Sequence, residues 1–288
     1  YTTIYLQTGY VRNTGLELSL GYGHTWNNNF RWDSNFTLSH NKNKIKELVR
    51  DYVHPETGEL INKDRLDVGG LGKARFILKE GGTLGDLYTQ SDLKRDDNGM
   101  VDIDPTGIVA IENNLPDIKL GSVFPKANLA WSNHFSWKGI SLSALFTARI
   151  GGIVYSATEA AMDQYGVSER SALARDNGGV LVNNRTLVDA QNYYTTIGSE
   201  SGLPQYYTYN ATNVRLQEAS IGYLIPRKWL GNVCDIQVSV IGRNLWMIYN
   251  KAPFDPESVA TTDNYYQGID YFMLPSTCNI GFNVKINF

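Results

Sequence analysis

Long apolar runs are missing from this sequence of 288 residues. No stretch approaches the ~20 consecutive apolar residues that a helix needs to cross a bilayer. Cysteine and histidine are scarce, with two and four residues, and neither CxxC nor HExxH spacing occurs. Because a metal site requires several such ligands close together, the sequence argues against a metal centre.

A surplus of charge of either sign is also missing. The chain has 26 basic and 29 acidic residues, which gives a net charge of −3. This balance gives no reason to expect nucleic acid as a partner. The sequence contains no GxSxG or P-loop motif, and no pair of catalytic carboxylates can be picked out. We therefore expect neither an enzyme nor a bound cofactor.

Aromatic and turn-forming residues are abundant instead. The chain contains 18 Tyr, 10 Phe, 6 Trp and 27 Gly, a composition that favours an all-β protein with many turns. The mean hydropathy of −0.30 would suit a soluble protein. Strands that alternate lipid-facing and lumen-facing residues average to the same mild polarity, so this value does not exclude a membrane barrel.

The C-terminal segment shows the clearest alternation between apolar and polar residues. This period of two predicts a strand with one apolar face, which we assign to barrel assembly. Its apolar positions are Ile280, Phe282, Val284, Ile286 and Phe288. Six further segments alternate in the same way, beginning near Leu16, Phe30, Ala127, Ile140, Ala219 and Ile236. The phase slips at residues 215–218, which predicts a β-bulge there.

The connections between these segments alternate between short and long. The short ones lie at residues 27–29, 136–138 and 226–234, and the long ones at 44–120, 151–210 and 250–271. Short periplasmic turns and long extracellular loops are typical of outer-membrane barrels. A compact soluble domain rarely has three loops of this length. The sequence therefore predicts a transmembrane antiparallel β-barrel.

Seven strands are too few and odd in number for a bacterial barrel, which closes with an even number. Open strand edges are also not tolerated in lipid. We therefore expect residues 1–288 to be the C-terminal part of a larger barrel. A disulfide is conceivable in an oxidising compartment, but the strand layout separates Cys234 from Cys278 by about ten residues along a strand, beyond disulfide reach.

Several short motifs, in order, resemble the SusC/RagA-type TonB-dependent outer-membrane transporters. The first, Asn13-Thr14-Gly15-Leu16-Glu17, is similar to that family's "N-x-G-x-E" strand opening. Residues 214–226 are similar to its "R-L-K-N-x-x-L-G-Y-x-L-P" run, with Gln217 and Glu218 in place of Lys-Asn. The remaining similar segments are residues 34–45, 96–104, 115–121, 242–246 and 255–257.

The resemblance implies a 22-stranded barrel with an N-terminal plug in the bacterial outer membrane. It also implies energisation by the TonB complex, a SusD-type surface lipoprotein as partner, and import of an oligosaccharide or peptide. The plug, the TonB-contacting segment and the remaining barrel strands are not part of this chain, so they are expected as further partners together with outer-membrane lipid.

Two groups of residues are candidates for a function in such a transporter. Loop tyrosines can stack on sugars, contact a peptide or pack against a partner protein, and they can equally pack the loops internally. These are Tyr193, Tyr194, Tyr206, Tyr207, Tyr209, Tyr265, Tyr266 and Tyr271. Arg149 and Arg243 fall on the lumen-facing phase, where we expect them to line the lumen or brace the plug.

Two loop segments receive a structural interpretation. The acidic segment from Asp96 to Asp104 is predicted to be a solvated turn, because Met100 stands where a Ca²⁺ loop of the EF-hand type needs an oxygen ligand. Binding of an ion there remains the alternative. Residues 158–165 are predicted to form a short loop helix that ends at Gly166.

Two other functions remain open at this level. A passive porin would show the same loops but lack a plug and a TonB-contacting segment. A soluble all-β glycan-binding module would also alternate, and it would be a monomer that needs no detergent.

Overall fold

The computed structural model describes residues 9–54, 56–231, 233–261 and 266–287, and most of them lie in β-strands. In chain order the strands are β1 Tyr10–Thr25, β2 Arg31–Glu47, β3 Val49–Val53, β4 Leu60–Lys63, β5 Arg65–Leu71, β6 Ala74–Lys79, β7 Asp86–Thr89, β8 Asp92–Leu93, β9 Ile111–Glu112, β10 Ile118–Ser122, β11 Ala127–Trp137, β12 Ile140–Ile150, β13 Ile153–Ser156, β14 Val180–Val182, β15 Thr186–Val188, β16 Thr208–Asn210, β17 Asn213–Ile225, β18 Asp235–Asn250, β19 Ile269–Asp270 and β20 Asn279–Asn287.

Helices are few and short. They are α1 Ala157–Gln164, α2 Glu169–Asp176 and α3 Ala190–Gly198, with 3₁₀ turns at Ser199–Ser201, Pro204–Tyr206 and Arg227–Leu230. Ser156, Ser168 and Asp189 cap the N-termini of the three α-helices. α1 has nearly the predicted bounds, and Gly166 follows it with a positive φ of 68°. No helix in the described ranges could span a membrane.

Seven strands form one antiparallel sheet in the order β1-β2-β11-β12-β17-β18-β20. They correspond to the seven segments predicted from alternation, and the antiparallel all-β prediction is confirmed. The turn after β11 consists of Lys138 and Gly139, both with positive φ, so Trp137 pairs directly with Ile140. Two positive φ values fit the tight hairpin turn whose twist matches that of the strands.

The register places the apolar residues of all seven strands on one face of this sheet, because directly paired residues point to the same side. A row across the sheet contains Leu18, Leu38, Leu129, Ala148, Val214 and Tyr249. The next contains Leu20, Phe36, Trp131, Phe146, Leu216 and Trp246. We call this side the apolar face and the opposite side, which carries Ser19, Thr37 and Thr147, the polar face.

The predicted bulge is present in β17. The register shifts between Leu216 and Glu218, so Gln217 has no partner opposite it on β18. Against β12, Leu145 pairs with Glu218 and Phe146 with Leu216, so Gln217 is the one extra residue there. Because the bulge inserts one extra residue, Ala219 returns to the apolar face and the alternation resumes.

The hydrophobic core lies in the long connections, and Ile45 of β2 is the one apolar side chain of the seven strands that is fully buried among the described residues. We name these connections loop A (48–126), loop B (151–212) and loop C (251–278). Residues of all three pack into one buried cluster that includes Phe76, Leu87 and Val123 of loop A, Tyr155, Ile197 and Leu203 of loop B, and Ile269 of loop C. β13 of loop B pairs with β16 and, in parallel, with β19 of loop C. The loops therefore fold together as one packed unit.

Loop A contains its own four-stranded sheet in the order β10-β7-β6-β5. Arg65 on β5 donates two hydrogen bonds to the carboxylate of Asp117, at 2.7 and 2.9 Å. Lys79 on β6 lies 2.8 Å from the same carboxylate, whose side chain is 7% exposed. These two cations, Arg65 first, hold the pKa of Asp117 well below its usual range.

We expect Asp117→Asn in the full-length protein to loosen this sheet. Loss of the carboxylate should speed amide hydrogen exchange in β5 and β6 about tenfold at neutral pH, because a charged hydrogen-bond acceptor for two half-exposed cations is removed.

The effect should depend on pH. The pKa of Asp117 is depressed in the folded state, so the stabilisation of the fold by this carboxylate is present above the unfolded pKa of ~4 and decreases as the pH falls below it. The difference between variant and wild type should therefore narrow in acid. Asp64→Asn, at an exposed neighbouring site, is the control, and equal exchange in both variants would contradict the assignment.

Candidate functional site in the outer loops

The outer loops fold over the polar face of the sheet. Arg149, on the polar face at the end of β12, donates a 2.8 Å hydrogen bond to the carbonyl oxygen of Val123 in loop A. Asn43, on the polar face of β2, accepts a 2.9 Å bond from the backbone N–H of Leu84 in the same loop. Ile45, on that face too, is fully buried. The loops thus cover the polar side of the strand ends.

Loop C is fixed to the same side by a buried ionic cluster. Arg215, on the polar face of β17 and 4% exposed, donates to both carboxylate oxygens of Asp255 at 3.1 and 2.9 Å. Its guanidinium also donates to the side-chain oxygen of Asn213 and lies 3.4 Å from Glu257. Burial alone would raise the pKa of Asp255, but the hydrogen bonds from Arg215 leave it below its ordinary value.

The sequence analysis named both segments of this cluster, 214–226 and 255–257, but it did not connect them. The signal that could have suggested the pairing is an arginine at the bulge of one strand and two acidic residues just after the next strand. Sequence reasoning missed it because the two segments lie 40 residues apart.

A second buried polar cluster joins the helices of loop B. Asp163 of α1 is 1% exposed and accepts hydrogen bonds from the Tyr207 hydroxyl at 2.9 Å and the Arg170 Nε at 3.0 Å. It also accepts from the hydroxyl of Ser168, which caps α2. The Arg170 guanidinium lies 4.7 Å from the centre of the Tyr207 ring. Burial raises the pKa of Tyr207, so its hydroxyl stays protonated as the donor.

Most of the predicted loop tyrosines pack in the hydrophobic clusters of the loops. Tyr207 and Tyr194 are buried, and Tyr193, Tyr206 and Tyr209 are half-buried. The Tyr209 ring contacts that of Phe254 in loop C at 5.7 Å. These five tyrosines therefore take part in packing within the loops, and contact of any of them with cargo or a partner stays a prediction.

Two of the predicted tyrosines are exposed. Tyr266 and Tyr271 of loop C are 44% and 51% exposed, and Tyr265 lies outside the described residues. Tyr271 begins an exposed apolar run with Phe272, Met273 and Leu274, and Leu274 is 86% exposed. This run of four residues exposes more apolar surface than Tyr266 alone. The sequence analysis named only its first residue, Tyr271.

The two arginines predicted to face the lumen have different surroundings. Arg149 has a buried Nε without a hydrogen-bond partner among the described residues. Arg243 is exposed and forms a 2.9 Å ion pair with Glu218 across β17 and β18, on the polar face. The plug that they were expected to brace is not part of the chain, so bracing stays a prediction for both.

The acidic segment forms two turns of similar design. The Asp96 carboxylate accepts from the backbone N–H groups of Asn98 and Met100, both at 2.9 Å. Asp104 accepts in the same way from Thr106 and Ile108, at 2.8 and 2.9 Å. Within the described part of the chain no three His, Cys, Asp or Glu side chains are placed to hold a metal ion.

The predicted barrel-assembly strand is β20, which pairs with β18 along its length. Ile280, Phe282, Val284 and Ile286 lie on the apolar face and are exposed, and Phe288 lies outside the described residues. Cys278 precedes β20 and Cys234 precedes β18, at opposite ends of this strand pair, and both are free.

We expect Arg215→Gln to release loop C from the sheet. The change leaves the buried Asp255 without its cation, which typically costs about 3–5 kcal/mol and should speed amide exchange in residues 251–261 at least a hundredfold. Arg243→Gln removes an exposed ion pair of equal length, worth about 0–1 kcal/mol, and should change exchange there little. Equal effects of the two substitutions, measured on the full-length protein in detergent, would contradict the assignment.

Comparisons with known proteins found similar receptors and similar solved structures for this chain. No family model matches it. It is 25% identical to TonB-dependent receptor P3 of Formosa agariphila over 310 aligned residues, which cover 96% of this chain and 29% of that protein. TonB-dependent receptor P26 of the same organism is 28% identical over 164 residues, which cover 51% of this chain and 16% of that protein. The chain thus spans less than a third of these relatives.

Solved structures show the same fold. The RagAB peptide transporter matches 97% of this chain and 30% of its own chain with a TM-score of 0.66 at 18% identity. The RagAB peptide importer in its closed-closed and open-open states gives TM-scores of 0.64 and 0.62, both at 17% identity. Together, these comparisons show that the chain is similar to part of TonB-dependent receptors and shares the fold of part of the RagAB peptide transporter.

Proposed function

We propose that the chain is the C-terminal part of the barrel of an active outer-membrane importer for a bulky nutrient, an oligosaccharide or a peptide. The observation that carries this proposal is the combination of a wall with one continuous apolar face and three interlocked loops over its polar face. An apolar face suits lipid, and loops folded toward the lumen narrow its entrance.

The proposed mechanism involves no covalent chemistry. Cargo would enter between the outer loops and a SusD-type surface lipoprotein, and the TonB complex would act on the plug to open the lumen. The curated relatives are receptors, and the solved structure that matches with a TM-score of 0.66 is a peptide transporter. Both agree with a transport role and with an outer-membrane location.

Loop C supplies the proposed contact surface for the cargo or the lipoprotein. Tyr266, Tyr271 and Phe272 are exposed, and the rings of the last two lie 5.2 Å apart at a steep angle. β19 of loop C pairs with β13, and the backbone N–H of Phe272 donates a 2.7 Å hydrogen bond to the Thr158 hydroxyl, so this aromatic surface is attached to loop B. Tyrosine and phenylalanine are enriched at the centres of binding interfaces.

The importer proposal is tested with the full-length receptor in its native host. Labelled oligosaccharides and labelled peptides are each offered to cells with the intact receptor, with the receptor deleted, and with the receptor intact but the TonB protein deleted. We expect uptake of one cargo class to require both the receptor and TonB. Uptake that requires the receptor but survives deletion of TonB would instead favour the passive porin.

We expect Tyr271→Ala combined with Phe272→Ala to weaken binding of the cargo or the lipoprotein about tenfold, as for other buried aromatic contacts. Binding is measured by calorimetry with the purified full-length receptor. Tyr165→Ala, at an exposed tyrosine of loop B that is 77% exposed, is the matched control. Unchanged affinity for both ligands would show that the aromatic surface of loop C contacts neither.

A further inference from the structure

The apolar face of the β1–β2 hairpin changes character abruptly near its outer end. Along β2 the residues of this face are Leu38, His40, Lys42 and Lys44, since they alternate with Asn41, Asn43 and Ile45 of the polar face. The paired residues of β1 are Leu18, Leu16, Thr14 and Arg12. The face thus passes from aliphatic to basic along the same two strands.

The side chains of Arg12, Lys42 and Lys44 are on the side of the strands away from the loop contacts, whereas the His40 Nδ1 lies within hydrogen-bond distance of the Lys126 carbonyl oxygen of loop A. Asn43 and Ile45 contact loop A on the polar side, whereas Lys42 and Lys44 are exposed on the other side of the same strand. Arg12 is exposed directly opposite Lys44. We name Arg12, Lys42 and Lys44 the basic patch.

The charge of this patch is not neutralised within the described chain. Among the described residues no carboxylate lies within ion-pair distance of Arg12, Lys42 or Lys44. Glu17 of β1 points to the opposite face, because it pairs with Ser39. Rows on one face are ~7 Å apart along a strand, so neighbouring cations can contact one anionic group together.

The patch lies at one boundary of the aliphatic zone. Trp32 and His24 form a pair near the short turn of the hairpin, and His40 pairs with Leu16 eight residues further along β2. At ~3.3 Å per residue this distance is ~26 Å along the strand, which a strand tilt of ~40° reduces to ~20 Å across the membrane, near the ~25 Å apolar band of an outer-membrane barrel. The aromatic cluster of Tyr22, Trp32 and Trp26 marks the other boundary.

A cleft adjoins the patch where β2 separates from β11. Its volume is about 540 Å³, and its lining includes His40, Lys42 and Lys126 together with Asn41 and Asn43. No carboxylate contributes to this lining. Ammonium groups and amide side chains are suitable donors to the oxygens of a phosphate group.

We propose that the basic patch binds the phosphate group of an anionic lipid in the outer leaflet, with the acyl chains along Leu16, Leu18 and Leu38 below it. The proposal rests on the proposed function, since it requires that the apolar face contacts lipid. Phosphate is the shared chemistry of a lipid headgroup and of free phosphate, and the aliphatic row next to the patch favours the lipid.

The test uses the purified full-length receptor, titrated with phosphatidic acid and observed by native mass spectrometry. Diacylglycerol with the same acyl chains is the lipid control because it lacks only the phosphate. We expect phosphatidic acid to bind preferentially, and we expect Lys42→Gln combined with Lys44→Gln to weaken its binding about 25-fold, at about fivefold for each lysine near the lipid surface. The control variant combines Lys63→Gln with Arg185→Gln, two exposed cations of loops A and B without ion pairs among the described residues.

Equal binding of phosphatidic acid by the patch variant and the control variant would overturn the proposal, and so would displacement of the lipid by inorganic phosphate alone. Flotation of every variant with outer-membrane vesicles is followed in parallel. A receptor that floats with the vesicles but binds phosphatidic acid no better than diacylglycerol contradicts lipid binding by the basic patch and leaves the membrane location standing. A receptor that does not float contradicts the membrane location and, with it, the lipid site.

Discussion

The structure depends on one constraint, the pairing of backbone hydrogen-bonding groups between neighbouring strands of the wall. In lipid no water can satisfy an exposed N–H or C=O group, so each strand needs a partner on both sides. Five of the seven wall strands have two neighbours, and β1 and β20 have one each within the described sheet. The register that results from this pairing also aligns the apolar residues, because a slip by one residue would turn a whole strand's side chains to the opposite face.

A wall only one sheet thick cannot bury a core of its own, and this explains where the chain places its packed residues. Few side chains of the seven strands are fully buried in this chain, and most are half-buried or exposed, whereas Phe76, Tyr155 and Leu203 of the loops are fully buried. The loops therefore behave as a folded unit supported by the wall. Their length is consistent with this, since long connections in compact proteins usually carry structure or function of their own.

Buried polar clusters determine how this unit is held. Arg215 joins loop C to β17, and Asp163 joins the helices of loop B through Tyr207 and Arg170. Each cluster is nearly fully hydrogen-bonded, which is the condition under which buried charge is tolerated. The surfaces left over differ in chemistry: loop C presents aromatic rings to the outside, and the hairpin of β1 and β2 presents cations next to aliphatic side chains. The net charge of the whole chain is only −3, but the basic patch is a local surface of positive charge.

The sequence by itself determined the strands, their apolar face, the bulge near Gln217 and the helix that ends before Gly166, because each depends on a period or a backbone preference within a few neighbouring residues. The ordered motifs also indicated the family. Only the tertiary structure decided that Tyr207 is buried against Asp163 while Tyr271 is exposed, and that Arg215 meets Asp255 40 residues later. Such contacts join distant segments, and alternation assigns a residue to a face without saying which loop will cover it. The basic residues of β2 were visible in the sequence, but their common face and their position beside the aliphatic zone follow from the register with β1.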